Sequence, residues 1–278
     1  MPAGYDALRT RAAWIDLTGR GEIFATGEDR ARLLHAMSTN HVEQLTPGAG
    51  CYAFFLNAQG RIQADANILC MQDRLLIDTE PETREKLLTL LNKYIIADDV
   101  TLEDASERLT VLGVEGPEWA QGSLLALRER LAVPFSHIEW QDGWAANISS
   151  TGAPGVRLFL SAERKPQVTG MLEQDGIPQA TAEDARIVRL EHGQPRYGED
   201  ITDTALPQET RQMHAVSFNK GCYVGQEIVE RIRSQGQVRR LLQKVEYTEG
   251  ATPEGEITSS AYSPALGRMV ALAYVRVR

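Results

Sequence analysis

Cysteine is scarce in this 278-residue chain: Cys51, Cys70 and Cys222 are widely spaced and odd in number. There is no C-x-x-C pair and no Cys/His cluster, which argues against an intrinsic zinc site or a full set of cluster ligands in one chain. Few thiols suit a reducing compartment. No run approaches ~18 apolar residues, so no membrane span or membrane partner is expected. The start, Met1-Pro2-Ala3-Gly4-Tyr5-Asp6, lacks the basic end and apolar stretch of a secretory signal, and the expected location is cytoplasmic. Positive charge is not in surplus: 29 Lys and Arg against 38 Asp and Glu give a net charge of −9. Such a surface repels phosphate, so direct nucleic-acid binding is not expected. Repeats, low-complexity tracts and a G-x-S-x-G elbow are missing. Gly19-Arg20-Gly21 and Gly48-Ala49-Gly50 are too short for dinucleotide or phosphate loops, and His192 has no second histidine at ligand spacing, so no metal site is expected.

What is present reads as a soluble globular protein, with 42% hydrophobic residues and a length that favours two domains or a fused pair. A short helix is expected around Leu33 to Met37. Strands are expected over Tyr52 to Leu56, Arg61 to Met71 and Arg74 to Asp78, with a turn at Asn57-Ala58-Gln59-Gly60, which together form an antiparallel meander. Thr79-Glu80-Pro81-Glu82 reads as a helix start capped by Thr79. A strand over Leu109 to Val114, a helix over Glu118 to Leu131, a hairpin turning at Asp142-Gly143 and a strand over Val156 to Leu160 follow. A helix capped at Thr181 should stop at Gly193. The polar stretch from Gln194 to Asn219 has little periodicity, as functional or disordered segments do. A helix from Glu227 to Ser234 precedes a strand-only tail. The class is α+β, with antiparallel sheets and segregated helices. The expected division is residues 1–236, with a possible break near 100–150, and a small β-module over 237–278.

Three groups could carry chemistry. Cys222 lies just before a helix start with Lys220 two residues upstream, and both a helix N-terminus and an ammonium favour a thiolate. The ordinary alternative is a small buried hydrophobe, the role also given to Cys51 and Cys70. Asp65 interrupts an apolar strand and faces either solvent or a polar pocket. Arg189 through Asp200 gathers hydrogen-bonding side chains, among them Glu191 and Tyr197, at a helix end and its exit loop. It is either part of a ligand site or a solvated helix terminus. Arg231, Arg233, Arg239 and Arg240 form a basic cluster that faces water or holds a carboxylate.

Lys220-Gly221-Cys222-Tyr223-Val224-Gly225-Gln226-Glu227 matches, without mismatch, the K-G-C-[FY]-x-G-Q-E signature of YgfZ-type proteins. Leu34 to Asn40, Leu56 to Ile62, Arg189 to Asp200, Pro207-Gln208-Glu209 and Gly267 to Arg276 also resemble that family, so the likeness runs through most of the chain. The family is similar to the glycine-cleavage T-protein, a tetrahydrofolate-dependent aminomethyltransferase. The resemblance implies a T-protein-like α+β fold with subdomains around a central folate pocket and a small C-terminal β-barrel. It also implies tetrahydrofolate or a one-carbon derivative as cofactor. By the same resemblance Asp65 is the acidic group beside the folate, Glu191 and Tyr197 line the pterin site, and Cys222 is the functional thiol with Lys220 beside it; Arg231 and Arg240 of the basic cluster are the candidates for the folate's carboxylate tail.

Two functions follow from the resemblance. One is a folate-binding accessory factor for assembly or repair of iron–sulfur proteins, including radical enzymes that modify transfer RNA. Its partners would be iron–sulfur client or assembly proteins. The other is a folate-dependent aminomethyl- or methyltransferase. T-proteins usually carry two adjacent aspartates where this chain has Ala64-Asp65, which favours the first.

Overall fold

The structure, a computed structural model, describes residues 3–236 and 238–277; position 237, where the tail module was expected to begin, lies outside the described residues. The chain groups into two compact units, each assembled from three segments: 1–19, 107–195 and 243–273 in the first, 20–106, 196–242 and 274–278 in the second.

The first unit holds a six-stranded sheet in the order Gln179–Ala180, Ala13–Asp16, Leu109–Glu115, Gly155–Ser161, Gly143–Ala146, His137–Trp140. The first pair is parallel and the others antiparallel. The expected helix over Glu118 to Leu131 is largely absent. Its place is taken by a 3-10 turn at Gly122–Leu124 and a single α-turn at Leu127–Arg130. Leu124, Leu127 and Leu131 are buried, so the helical spacing is real. Gly122, however, sits at φ +51, and the Asp175 carboxylate accepts the Ser123 amide at 2.7 Å, which breaks the α-ladder at its start. Two helices that were not expected from the sequence also belong to this unit. Ala3–Thr10 buries Tyr5, Ala7 and Leu8, and Lys165–Gln174 buries Val168 and Leu172. The Ala182–His192 helix follows its local chemistry: Thr181 and Asp184 close a capping box and Gly193 ends it at φ +69.

The second unit is built on a five-stranded antiparallel sheet in the order Gly50–Leu56, Ile62–Cys70, Leu75–Thr79, Gly21–Thr26, Thr101–Asp104. The hairpin at Asn57–Gly60 and the two strands after it lie where the turn chemistry put them. Alternation gives the sheet two faces. Ile23, Ala25, Ala53, Phe55, Ala64, Ala66, Ile68, Leu75 and Ile77 point into one apolar core, closed by Leu34 and Met37 of the Arg30–Met37 helix and Leu87 and Leu91 of the Arg84–Asn92 helix. The opposite face is also buried but carries polar groups. Thr79 does not cap a helix: it ends the Leu75–Thr79 strand and its hydroxyl donates to the Asp65 carbonyl at 2.5 Å. Helical structure begins at the Pro81–Thr83 turn instead.

Residues 194–219 hold two 3-10 turns, Pro207–Thr210 and Met213–Ala215, and no longer element. The C-terminal strands Arg240–Tyr247, Glu256–Ser263 and Arg268–Arg276 make a three-stranded sheet with the last strand in the middle.

Candidate functional site

Asp65 sits in mid-strand on the polar face of the second unit's sheet. Its register partner is Phe54, and Asn67, two residues on, pairs with both Tyr52 and Asp78. Of the two readings open to this carboxyl, solvent exposure is ruled out, because the residue is only 7% exposed. Tyr52 Oη donates to Asp65 Oδ2 at 2.6 Å, and Asp65 Oδ1 accepts from no described residue. Burial first, and the nearby Glu80 carboxylate second, push the Asp65 carboxyl up to about 7. A proton there exchanges near neutrality.

A charge network surrounds it. Arg20 donates to Asp78 at 2.5 Å and also to Glu80, while Asn67 donates to Asp78 at 2.9 Å. Arg196 reaches Glu80 at 2.9 Å and Glu82 at 2.8 Å. Burial alone would raise the Glu80 carboxyl, but Arg20 and Arg196 outweigh that and hold it below its usual range. Glu80 is therefore an ionised neighbour of a carboxyl that is half protonated at neutral pH.

The irregular 194–219 segment returns to this face. Tyr197 Oη donates to the Gln63 carbonyl at 2.9 Å, and burial followed by the charges of Asp203 and Asp65 raises the phenol. Ala205 accepts the Ile62 amide at 3.0 Å. The His214 ring stacks on Tyr52 at 5.4 Å and 27°. Asn40 ties the two together, donating to the carbonyls of Tyr52 at 2.8 Å and His214 at 3.0 Å.

The Lys220–Glu227 segment belongs to the same unit. Its lysine is a clamp: the ammonium donates to the carbonyls of His35, Ser38 at 2.5 Å and Asn40 at 2.9 Å, which are the end of the Arg30–Met37 helix and its exit. A cation at a helix C-terminus satisfies carbonyls that have no partner in the helix. Burial pulls Lys220 down to about 8, against the opposing charges of Cys51 and Glu43. Its Nζ also lies 4.9 Å from the Tyr223 ring centre. Gly221 leaves room beside His35 Nε2, at 3.7 Å from the point a Cβ would occupy. Gly225 sits at φ +83, and a Cβ there would come within 2.6 Å of the Asn57 carbonyl, so the loop rests directly on the Asn57–Gly60 turn. The Gln226–Gln235 helix follows, its first amide donating to the Tyr223 carbonyl at 3.2 Å. Cys222 stands exposed on this anchored loop. Cys51 is buried and pushed up to about 12 by desolvation, and Cys70 is half-buried with its thiol raised for the same reason.

A model of the GCVT N-terminal domain matches residues 2–220. This chain belongs to that family. An aminomethyltransferase of Rubrobacter xylanophilus is 28% identical over 294 residues, covering 99% of this chain and 79% of that protein. A relative in Arabidopsis thaliana, named only provisionally as a chloroplastic transferase, is 27% identical over 261 residues, covering 91% of this chain and 60% of that protein. The crystal structure of glycine cleavage system aminomethyltransferase T from Bartonella henselae superposes with a TM-score of 0.81 at 19% identity, over 98% of this chain and 80% of that one. The likeness to that structure establishes the mixed α+β fold with antiparallel sheets.

The family match takes in Asp65, Tyr197 and Lys220 and stops two residues before Cys222. The other residues singled out in the sequence divide by environment. Glu191 is in the first unit, where Oε1 accepts from Tyr5 at 2.5 Å and Ser263 at 2.6 Å and Oε2 from Arg9 at 2.8 Å. Arg240 pairs with Glu209 at 3.2 Å and lies 4.1 Å over the Tyr274 ring. Arg231 is exposed and bonded to Glu227 one turn back at 2.6 Å. Arg233 lies 4.2 Å over Phe218. Sequence reasoning missed Tyr52, His214, Arg20, Asp78 and Glu80. Tyr52 was within reach, since the hairpin register puts it on the same face as Asp65. Arg20 was not, because its partner Asp78 lies 58 residues away. Among the described residues no group of three or more His, Cys, Asp or Glu could hold a metal ion, and no helix is long and apolar enough to cross a membrane.

Proposed function

We propose that this chain binds tetrahydrofolate, or a one-carbon derivative of it, at the Asp65 face and uses Cys222 in the assembly or repair of iron–sulfur proteins. The observation that carries the reading is the pairing, in one compact unit, of a buried carboxyl with an uncommitted oxygen and the one exposed thiol of the chain. A ligand with an aminopyrimidine edge fits such a carboxyl, because its N–H donors complete the acceptor that Tyr52 leaves half used. Tyr197 supplies a buried aromatic ring electrostatically coupled to the same carboxyl. Bound there, the folate would supply or accept a one-carbon group; the protein's part is to orient it, exclude water and offer it the Asp65 carboxylate as acceptor. Arg240 and Arg231 would meet the folate's carboxylates by exchanging their present partners Glu209 and Glu227.

Cys222 acts on a different substrate. A single thiol cannot ligate a cluster alone, so any cluster or sulfur contact is shared with a client or assembly protein. Lys220 and Gly225 fix the loop that presents it. A folate-dependent one-carbon transferase is the second reading, favoured by the relatives' names and by a carboxyl that titrates near neutrality. Against it, position 64, where T-proteins usually carry the first of two adjacent aspartates, is an alanine packed in the apolar core.

Titration calorimetry with tetrahydrofolate on wild type, Asp65→Asn and Cys222→Ser tests the folate half. Wild type and Cys222→Ser should bind alike, and Asp65→Asn at least ~10-fold more weakly, the loss of a charged hydrogen-bond partner. Absence of binding in all three overturns it. Turnover of an amine donor to methylenetetrahydrofolate that depends on Asp65 would favour the transferase.

A further inference from the structure

The polar face around Asp65 holds more acid than base. Asp65 and Asp78 are buried, Glu80 is mostly buried, and Glu22 on the neighbouring strand is 1% exposed. Arg20 pairs with Asp78 and Glu80, and Arg196 with Glu80. Neither arginine bonds Asp65: Arg20 is spent on Asp78 and Glu80, and Arg196 on Glu80 and Glu82. The groups facing the Asp65 carboxyl are Tyr52 from the Gly50–Leu56 strand, Asp78 from Leu75–Thr79, Glu80 just beyond it, Arg20 ahead of Gly21–Thr26, and Tyr197 from the 194–219 segment. Thr79 ties the backbone of Asp65 to the residue just before Glu80, its hydroxyl donating to the Asp65 carbonyl.

We propose that Glu80, clamped between Arg20 and Arg196, is a positioning residue for the Asp65 proton, so that ligand binding at this face is gated by protonation of Asp65. The inference deepens the proposed folate reading and rests on it for the identity of the ligand alone. An ionised Glu80 opposes ionisation of Asp65 across a buried face, where like charges are poorly screened. A ligand that donates N–H bonds to Asp65 prefers the carboxylate, so its affinity should climb as pH rises through neutrality. Arg20 and Arg196 set how strongly Glu80 acts. Removing Glu80 frees Asp65 to ionise at lower pH. Removing Arg196 strengthens the repulsion and moves Asp65 the other way.

The test reads Asp65 without any ligand. Carboxyl carbons of 13C-aspartate-labelled full-length protein are titrated by NMR, with the Asp65 signal assigned by its loss in Asp65→Asn. Glu80→Gln should lower the Asp65 midpoint by about one pH unit, and Arg196→Gln should raise it. A merely structural role for Glu80 would not produce opposite shifts. If Glu80→Gln fails to fold, Arg196→Gln and the partly exposed Glu82→Gln, which frees Arg196 for Glu80 and should shift Asp65 slightly down, keep the test decisive. Unchanged midpoints in the folded variants, or shifts of the same sign for Glu80→Gln and Arg196→Gln, overturn the proposal. Calorimetry with tetrahydrofolate between pH 6 and 8 then separates the two readings. Shifted midpoints without folate binding leave the proton gate standing and remove the folate. Binding that does not vary with pH removes the gate.

Discussion

Replacing Asp65 by asparagine should stabilise the second unit at alkaline pH and do little in acid. Folding raises this carboxyl from an ordinary 3.8 to about 7. The raised value means that the folded state binds a proton more tightly than the unfolded state. Below pH ~4 both states are protonated and Asp65 costs nothing; above pH ~7 both are ionised and the fold carries a buried charge. At about 1.4 kcal/mol per pH unit, the full penalty is about 4 kcal/mol. Between pH 5 and pH 8 about 3 kcal/mol of it develops. Asparagine keeps an acceptor for the Tyr52 hydroxyl but has no charge to lose. The stability difference, Asp65→Asn minus wild type, should thus grow by about 3 kcal/mol from pH 5 to pH 8, roughly a hundredfold in the opening equilibrium. All four tryptophans, Trp14, Trp119, Trp140 and Trp144, lie in the first unit, so fluorescence would report the wrong part of the molecule. Peptide-resolved hydrogen exchange over the Ile62–Cys70 strand, corrected for intrinsic rates at each pH, measures the right part. A difference that stays flat with pH, or that favours wild type more at pH 8, refutes a buried, raised carboxyl.

Two further variants test the loop that presents the thiol. Lys220→Met leaves the carbonyls of His35, Ser38 and Asn40 without their shared cation and should cost about 3 kcal/mol, seen as faster exchange in the Arg30–Met37 helix; an unchanged helix would show that the clamp is dispensable. Gly225→Ala forces a side chain into φ +83 within 2.6 Å of the Asn57 carbonyl and should lower the melting temperature by the equivalent of about 2 to 4 kcal/mol; a neutral substitution would mean the loop does not rest on the turn.

Local chemistry was legible in the sequence. Thr181, Asp184 and Gly193 sit next to the helix ends they define, and Asn57 to Gly60 lies between the strands it joins. Strand alternation was legible too, and it placed Asp65 opposite the core. What alternation could not say is that the second face is itself buried, because that depends on segments distant in the chain. Lys220 shows the same limit. Two residues from Cys222, it read as a thiolate-stabilising neighbour, while its ammonium is bound to carbonyls about 180 residues upstream. The helix over Glu118 to Leu131 failed for a different reason: apolar spacing at Leu124, Leu127 and Leu131 suits one buried stripe whether the backbone is α-helical or a chain of turns. Glu80 and Arg196 carried no signal as a pair, since each is an ordinary charged residue until the fold brings them into one ion pair.

The most direct measurement of the central claim compares two readouts on one variant, Cys222→Ser. Tetrahydrofolate affinity is measured by calorimetry on the purified protein, and the activity of iron–sulfur enzymes is measured in cells that depend on the variant. The account predicts folate affinity within about twofold of wild type together with loss of the iron–sulfur enzyme activity. Full enzyme activity supported by Cys222→Ser would contradict it.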